Sequence, residues 1–374
     1  MDFSYSFSEE QEELRRTVRS FLGRYSTEAD VRRIAESGAG YDRQLWGRLA
    51  GELGLQGLAV PEEYGGSGFG YPDLGIVFEE TGRALLCAPY FASVALAAEV
   101  LLRSGDEQAA KDLLPGICSG ATVATLALTE DGGDWTEGGV RLAASRVGGG
   151  WTLAGTKTYV PDGHLADLLL VVARGDNGVS LFAVDATAPG LTRTRLPTLD
   201  QTREQARLEF TATPARLIGT AGGGWPIVER ALATAGILLA AEQVGGAAAA
   251  LQLAVDYAKV RVQYGRPIGS FQGIKHKCAD LLTELEAARS AAYGGLWALE
   301  SGDEREIRIS AALAQVYASE MFTLVAGGCV QIHGAIGFTW EHPAHLYFKR
   351  AKSSEVLLGT PAHHREVLAA ELGI

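Results

Sequence analysis

Apolar residues near the start of the chain recur at three- and four-residue intervals, the spacing of one face of a helix. Ser8 and Gln11 form a capping box, and Leu14, Val18, Phe21 and Leu22 follow as a stripe. Trp46, Leu49 and Leu53 repeat the interval until Pro61 and Gly65-Gly66-Ser67-Gly68 interrupt it. Helix resumes from about Asp73 through Glu79, Glu80 and Arg83. The texture then changes between about Ala121 and Gly219. Val140–Val147 and Trp151–Val160, joined by Gly148-Gly149-Gly150, read as a hairpin. Leu168–Ala173 and Val179–Asp185 read as a second one, and Leu208–Thr211 as a last strand before a loop at Pro214. Beyond Trp225 the helical period returns over about 226–260, 271–300 and 304–329, with a shorter stretch from Ala344.

This order predicts an α+β multidomain protein: a helical domain over 1–120, a small antiparallel β-barrel or sandwich over 121–219, and a four-helix bundle over 220–374. A chain of 374 residues is long enough for two or three domains, and 47% hydrophobic with 21% charged residues is a core-building composition. The net charge of −12 and the lack of a basic block argue against nucleic acid or an anionic membrane surface as partners. Residues 231–255 are apolar enough to raise a membrane span, yet Glu242 and Gln243 sit in their middle, so a helix packed on all sides is expected instead. The opening Met-Asp-Phe-Ser-Tyr-Ser has neither a basic nor an apolar leader region, so a cytoplasmic protein is expected. Cys87, Cys118, Cys278 and Cys329 are scattered without metal spacing and read as small buried hydrophobes. His333, His342 and His345 lack a carboxylate or cysteine to complete a shell, so no metal is expected.

The candidate chemistry begins at residues 261–272, Arg-Val-Gln-Tyr-Gly-Arg-Pro-Ile-Gly-Ser-Phe-Gln. Gly265 and Pro267 break the helix there, so Arg261, Arg266, Gln263, Gln272 and the Tyr264 ring leave from one corner. Guanidinium forks suit phosphate, amides suit a purine edge, and a ring offers a stacking face. By themselves these residues fit better a helix–turn–helix corner whose arginines cap and solvate. The Gly65–Gly68 loop is neither a Walker loop nor a GxGxxG dinucleotide turn.

Four stretches then carry a resemblance. They are Val60-Pro-Glu-Glu-Tyr-Gly-Gly-Ser-Gly68 with Glu79-Glu-Thr-Gly-Arg83, Leu128-Thr-Glu130 with Gly155-Thr-Lys-Thr-Tyr-Val160, Arg261 through Gln272, and Gln331-Ile-His-Gly-Ala-Ile-Gly337. In joint order and spacing, across essentially the whole chain, they resemble the acyl-CoA dehydrogenase family. The resemblance implies FAD as cofactor, an acyl-CoA thioester as substrate, a dimer or dimer of dimers, and an electron-transfer flavoprotein as a possible acceptor. It implies that Arg261, Gln263, Tyr264 and Gln272 meet the adenosine-diphosphate part of FAD across a subunit interface. Gln331, Gly334, Ala335 and Gly337 would meet the same tail from the other side. Leu128 and Thr129 would face the pyrimidine edge of the flavin.

The chain departs from the family where the chemistry lies. The reaction takes the α-proton of a thioester while the β-hydrogen leaves as hydride, and it needs a carboxylate base. Where relatives read Tyr-Glu-Gly-Thr this chain reads Val356-Leu-Leu-Gly-Thr360, placing Leu358 at the base. The alternative base position of other relatives is Ala235, and the arginine that usually follows is Gly236. The family's Trp-Ile-Thr reads Tyr159-Val-Pro161, without the hydroxyl and backbone donor that would meet flavin N5. Glu355 and Glu242 remain as carboxylates nearby, and Glu242 lies seven residues, about 10.5 Å, along the helix from Ala235. Two readings stay open. In one the chain is the FAD-clamping, base-lacking subunit of a heteromer whose glutamate-bearing paralogue completes the site, as in bacterial members acting on steroid side chains. In the other it is a self-sufficient homo-oligomeric dehydrogenase with a displaced base such as Glu242.

Overall fold

The structure, a computed structural model, describes residues 7–374, so the first six residues, on which the leaderless reading rests, lie outside it. In chain order the helices are α1 (Glu9–Tyr25), α2 (Glu28–Ser37), α3 (Arg43–Gly51), α4 (Tyr71–Arg83), α5 (Glu99–Arg103), α6 (Glu107–Cys118), α7 (Gly224–Val260), α8 (Gln272–Ser301), α9 (Glu304–His333), α10 (Ala344–Ser354) and α11 (Pro361–Leu372). Two compact units divide the chain. One holds the residues up to Arg33 with Tyr71–Leu86 and Gly236–Ile374; the other holds Ile34–Gly70 with Cys87–Ala235. The boundary falls inside α7.

The first unit is helical. Its α1 starts on the expected capping box, with the Gln11 amide 3.2 Å from Ser8 Oγ and the Ser8 amide 3.0 Å from Gln11 Oε1. Val18 and Leu22 on α1 are buried, and α1 packs on α4. α8 and α9 run side by side, turned by Gly302 in the left-handed region and Asp303, which caps α9 by accepting from the Arg305 and Glu306 amides. Their core joins that of α7 through Val244, Ala247, Leu281, Leu285, Phe322 and Val325. The Ala/Gly composition of α7 serves close helix packing. A Cβ built on Gly245 would lie 1.7 Å from the Glu79 carbonyl oxygen, and one on Gly82 1.9 Å from the Glu242 carbonyl oxygen, so α4 and α7 touch backbone to backbone. Burial of α4 takes two carboxylates out of water, and each finds cations. Arg15, Arg289 and the Tyr293 hydroxyl donate to Glu79 at 2.6, 3.1 and 2.7 Å, and Arg19 donates twice to Glu80 at 2.9 and 2.6 Å.

The second unit is built on β1 (Ala124–Ala127), β2 (Ala143–Val147), β3 (Gly150–Pro161), β4 (Leu168–Gly175), β5 (Gly178–Asp185), β6 (Leu191–Arg195) and β7 (Gln205–Ile218). Both expected hairpins form, β2 on β3 with Val147 opposite Gly150, and β4 on β5 with Gly175 opposite Gly178. Gly148 and Gly149 turn the first with φ of 57° and 89°, the positive values a tight hairpin needs. The pairings β4–β2–β3–β7–β5 return to β4 and close a barrel, with β1 added to β4 in parallel and β6 to β7. The sequence reading missed β1 and β6 and ended the last strand too early. Pro214, expected in a loop, lies inside β7 opposite Thr152. It is tolerated there because β7 pairs with β6 over Ala206–Phe210 and with β5 over Arg216–Ile218, leaving one edge open between them. Phe91–Ala98, entirely buried, is wound as a π-helix leading into α5, a rare form with no sequence signature.

Of the four cysteines, Cys87, Cys118 and Cys329 are buried and Cys278 half-buried, all free thiols. α7 and the stretch Glu304–Phe338 are long and apolar enough to cross a membrane, and 83% of the most apolar window of α7 is buried inside the protein.

Candidate active site

In the second unit, each residue of the segment that follows β1 is tied to β3 or β7. Lys157 on β3 is completely buried, and its Nζ donates to the Leu128 carbonyl and to Glu130 Oε1, both at 2.8 Å. The same Glu130 oxygen accepts from the Arg141 and Leu142 amides at 2.8 Å. The Thr129 hydroxyl donates to the Thr158 carbonyl at 2.6 Å, and the Thr158 amide returns a bond to the Thr129 carbonyl at 2.8 Å. Asp131 accepts from the Thr158 hydroxyl and from Arg207 on β7, each at 2.6 Å. Burial pushes the Lys157 ammonium down to about 8, against the pull of Glu130. Burial opposes ionisation of Glu130 as well, but Lys157 and the two amides outweigh it and hold its carboxyl below the ordinary range.

Past this latch β3 is irregular. Its register on β7 shifts between Lys157 and Val160, and Tyr159 in that bulge has φ of 60° and a partly exposed ring. Pro161 ends the strand opposite Gln205, and its carbonyl accepts from the Thr125 hydroxyl at 2.6 Å. Leu128 and Thr129, expected at a flavin edge, therefore sit on a fixed segment. Lys157 lies in the Gly155–Val160 motif, and nothing in the sequence marks it as buried, since a buried strand position ordinarily carries an apolar residue.

In the first unit the 261–272 corner is a miniature hairpin. α7 ends at Val260, β8 (Val262–Gln263) pairs with β9 (Arg266–Pro267), and Tyr264 and Gly265 turn with φ of 52° and 77°. Tyr264 is 92% exposed and is the most solvent-exposed large hydrophobic residue of the corner. Among the described residues no side-chain partner holds Arg261, Gln263 or Gln272, whereas the Arg266 guanidinium lies 4.1 Å over the Phe271 ring. Arg266 is thus a support for the corner, while Arg261 projects from it. Gln272 opens α8.

The 331–337 stretch ends α9 one turn later than expected. Gln331 is exposed in the last turn, its carbonyl accepts the Gly334 amide, and Gly334–Phe338 continues as a 3-10 turn. Gly334 and Ala335 are exposed and Gly337 is buried against His333 and Val330. His333 packs its ring 4.4 Å from Tyr257 and 4.1 Å from His342. These rings fill the inner side of the turn and leave its backbone outward. A Cβ on Gly334 or Gly265 would meet nothing within 4 Å, so backbone at both places is open to close approach. Unpartnered guanidinium and amide donors beside open glycine backbone fit the diphosphate and purine of a nucleotide.

The two positions at which the resemblance would place a base carry no acid. Leu358 is buried, with φ of 66°, in the turn before Thr360 caps α11. Ala235 is buried, and the Gln315 side chain lies over Gly236, donating to its carbonyl. The displaced-base candidate Glu242 is buried and ion-paired with Arg350 of α10 at 2.8 Å. Arg350 also reaches the Leu86 carbonyl at 3.5 Å. The pair separates residues 108 apart in the chain, so no sequence pattern announces it. Glu355 accepts from Thr323 at 3.1 Å and pairs with Lys352.

Three acyl-CoA dehydrogenase domain families match the chain: the N-terminal domain over residues 8–121, the middle domain over 125–213 and the C-terminal domain over 222–373. The acyl-CoA dehydrogenase IpdE2 of Mycolicibacterium smegmatis is 35% identical over 365 residues, covering 98% of this chain and 99% of that one. Among solved structures, a variant of the Tcur3481–Tcur3483 steroid acyl-CoA dehydrogenase superposes with a TM-score of 0.88 at 34% identity over 98% of both chains. The ChsE4–ChsE5 complex of Mycobacterium tuberculosis gives 0.91 at 30% identity over 99% of both.

Proposed function

The chain belongs to the acyl-CoA dehydrogenase family, and on that premise we propose that it is the FAD-clamping, base-lacking subunit of a heteromeric enzyme dehydrogenating an acyl-CoA thioester between Cα and Cβ. One observation carries the reading. The nucleotide-type corner is exposed with Arg261 and Gln263 unpartnered, while Leu358 and Ala235 fill the two base positions and Arg350 holds Glu242. FAD, when bound, supplies the two-electron acceptor for the hydride. Arg261, Gln263, Tyr264 and Gln272 would hold its adenosine diphosphate, with Gln331, Gly334, Ala335 and Gly337 at the same tail, and Leu128 and Thr129 would face the flavin.

Neither family base position of this chain carries an acid, and the nearby carboxylates Glu242 and Glu355 are both engaged, so in this reading a glutamate-bearing paralogue supplies the base. The likeness to two enzymes named as pairs, Tcur3481–Tcur3483 and ChsE4–ChsE5, supports a dimer of dimers of two chain types. The first of these is a steroid enzyme, which supports a bulky, steroid-derived acyl group. The proposal includes structural segments over 1–120, 121–219 and 220–374, a cytoplasmic location and an electron-transfer flavoprotein as acceptor. The Glu242–Arg350 pair tells against Glu242 as the displaced base of the self-sufficient reading.

The test is the visible spectrum of the purified chain, alone and with its partner. Alone it should retain little flavin and should not bleach under acyl-CoA without oxygen; with the partner it should hold flavin and bleach. In the assembled enzyme Arg261→Ala should weaken FAD retention tenfold or more, about 1.4 kcal/mol per decade. Thioester oxidation at ordinary speed by the homogeneous chain would overturn the heteromer. Unchanged FAD affinity in Arg261→Ala would overturn the clamp.

A further inference from the structure

We propose that Lys157 is a positioning residue for the flavin-facing segment: its buried ammonium, gripping Leu128 and Glu130 together, sets the backbone that Leu128 and Thr129 present to the cofactor. This rests on the reading above that those two residues face the flavin. The geometry goes further than a core ion pair requires. A lysine with no exposed surface takes a charge out of water, and an apolar residue at the same inward position would avoid that cost. What the ammonium gains is two acceptors on alternate residues of one segment, the Leu128 carbonyl and the Glu130 carboxylate, each at 2.8 Å. The residue between them is tied by its own pair of bonds to Thr158, so three consecutive residues are fixed from two adjacent positions of one strand. Glu130 passes the constraint on through the Arg141 and Leu142 amides, which lead into β2. The register of β3 on β7 shifts between Lys157 and Val160, immediately beside these contacts. Lys157 touches neither substrate nor the reacting atoms; it acts through the backbone it holds.

The experiment uses the full chain assembled with its glutamate-bearing partner, and FAD itself as the probe. FAD affinity is read by flavin fluorescence quenching, the flavin environment by the fine structure of its visible absorption band, and the fold by the melting of the cofactor-free complex. Lys157→Met should weaken FAD about tenfold and blur the visible band, while the cofactor-free melting temperature holds or rises. A lowered melting temperature with an unchanged flavin spectrum and affinity would mark Lys157 as structural only and overturn the inference. Should Lys157→Met not fold, Glu130→Gln decides. It leaves the ammonium facing a neutral amide, and it should weaken FAD severalfold with the same spectral change; no change would overturn the inference. Arg261→Ala in parallel separates the two readings. Loss of FAD there with none in Lys157→Met or Glu130→Gln removes only the role of Lys157, and loss in neither arm removes the clamp as well.

Discussion

At Glu242 a carboxylate two helical turns beyond Ala235 meets a guanidinium from another helix, at 2.8 Å. Glu242 and Arg350 are both almost wholly buried. Removing one partner takes from the other buried charge its 2.8 Å counter-charge, at a cost of about 3–5 kcal/mol for a buried pair. Glu242→Gln is therefore expected to lower unfolding free energy by that order in chemical denaturation. Glu242→Met with Arg350→Met together should recover most of it, since no charge is then stranded. A Glu242→Gln protein as stable as the parent, yet inactive, would return Glu242 to the list of bases. Lys157 gives a second prediction, in pH. Its folded value, about 8, lies below the ordinary lysine value of 10.5. Between these the unfolded chain binds the extra proton, so this group's contribution to stability rises as pH climbs from 8 to 10.5, by on the order of 3 kcal/mol. Below pH 8 its burial cost is present in full. Denaturation curves across that window should show the rise in the parent and lose it in Lys157→Met. A parallel pair of curves would refute the shift.

Among the elements, α7 shows how one composition permits two structures. Its run of alanine and glycine from Ala231 to Ala250 is compatible with a roomy pocket or with close packing, and the α4–α7 crossing selects close packing at Gly245 and Gly82. A methyl group on Gly245 would lie 1.7 Å from a backbone oxygen, which cannot rotate away, so the helices must part. Gly245→Ala should cost about 3 kcal/mol or more, by overpacking. Gly265→Ala in the 261–272 corner meets open space, and only its φ of 77° opposes it, at about 1 kcal/mol. Equal melting temperatures for the two variants would contradict the crossing. The strands show the opposite case. Both hairpins were legible because glycine turns lie between runs of strand-forming residues, whereas β1 and β6 are only four and five residues long, too short for a period to show. Pro214 marked a loop by the usual rule and proved to be strand, because only the pairing of β7 with β5 and β6 reveals an open edge there.

Across the whole molecule, the family, the helical–β–helical order and the break in the helix at 261–272 were all legible from residues near one another in the chain. Periodicity of three to four, alternation of two, glycine turns and motif spacing are local properties, and the sequence states them directly. Leu358, Ala235 and Pro161 were likewise legible, because the absence of an acid or an amide proton is a property of the residue itself. The partnerships were not. That Glu242 is claimed by Arg350, that Lys157 grips the segment after β1, and that Arg266 covers Phe271 while Arg261 is left to reach outward are decided by chain segments meeting in space. A buried charge must find its counter-charge wherever the fold brings one, at a separation of 108 residues for Glu242 and 27 for Lys157. Composition fixed which groups needed partners, and packing alone chose them.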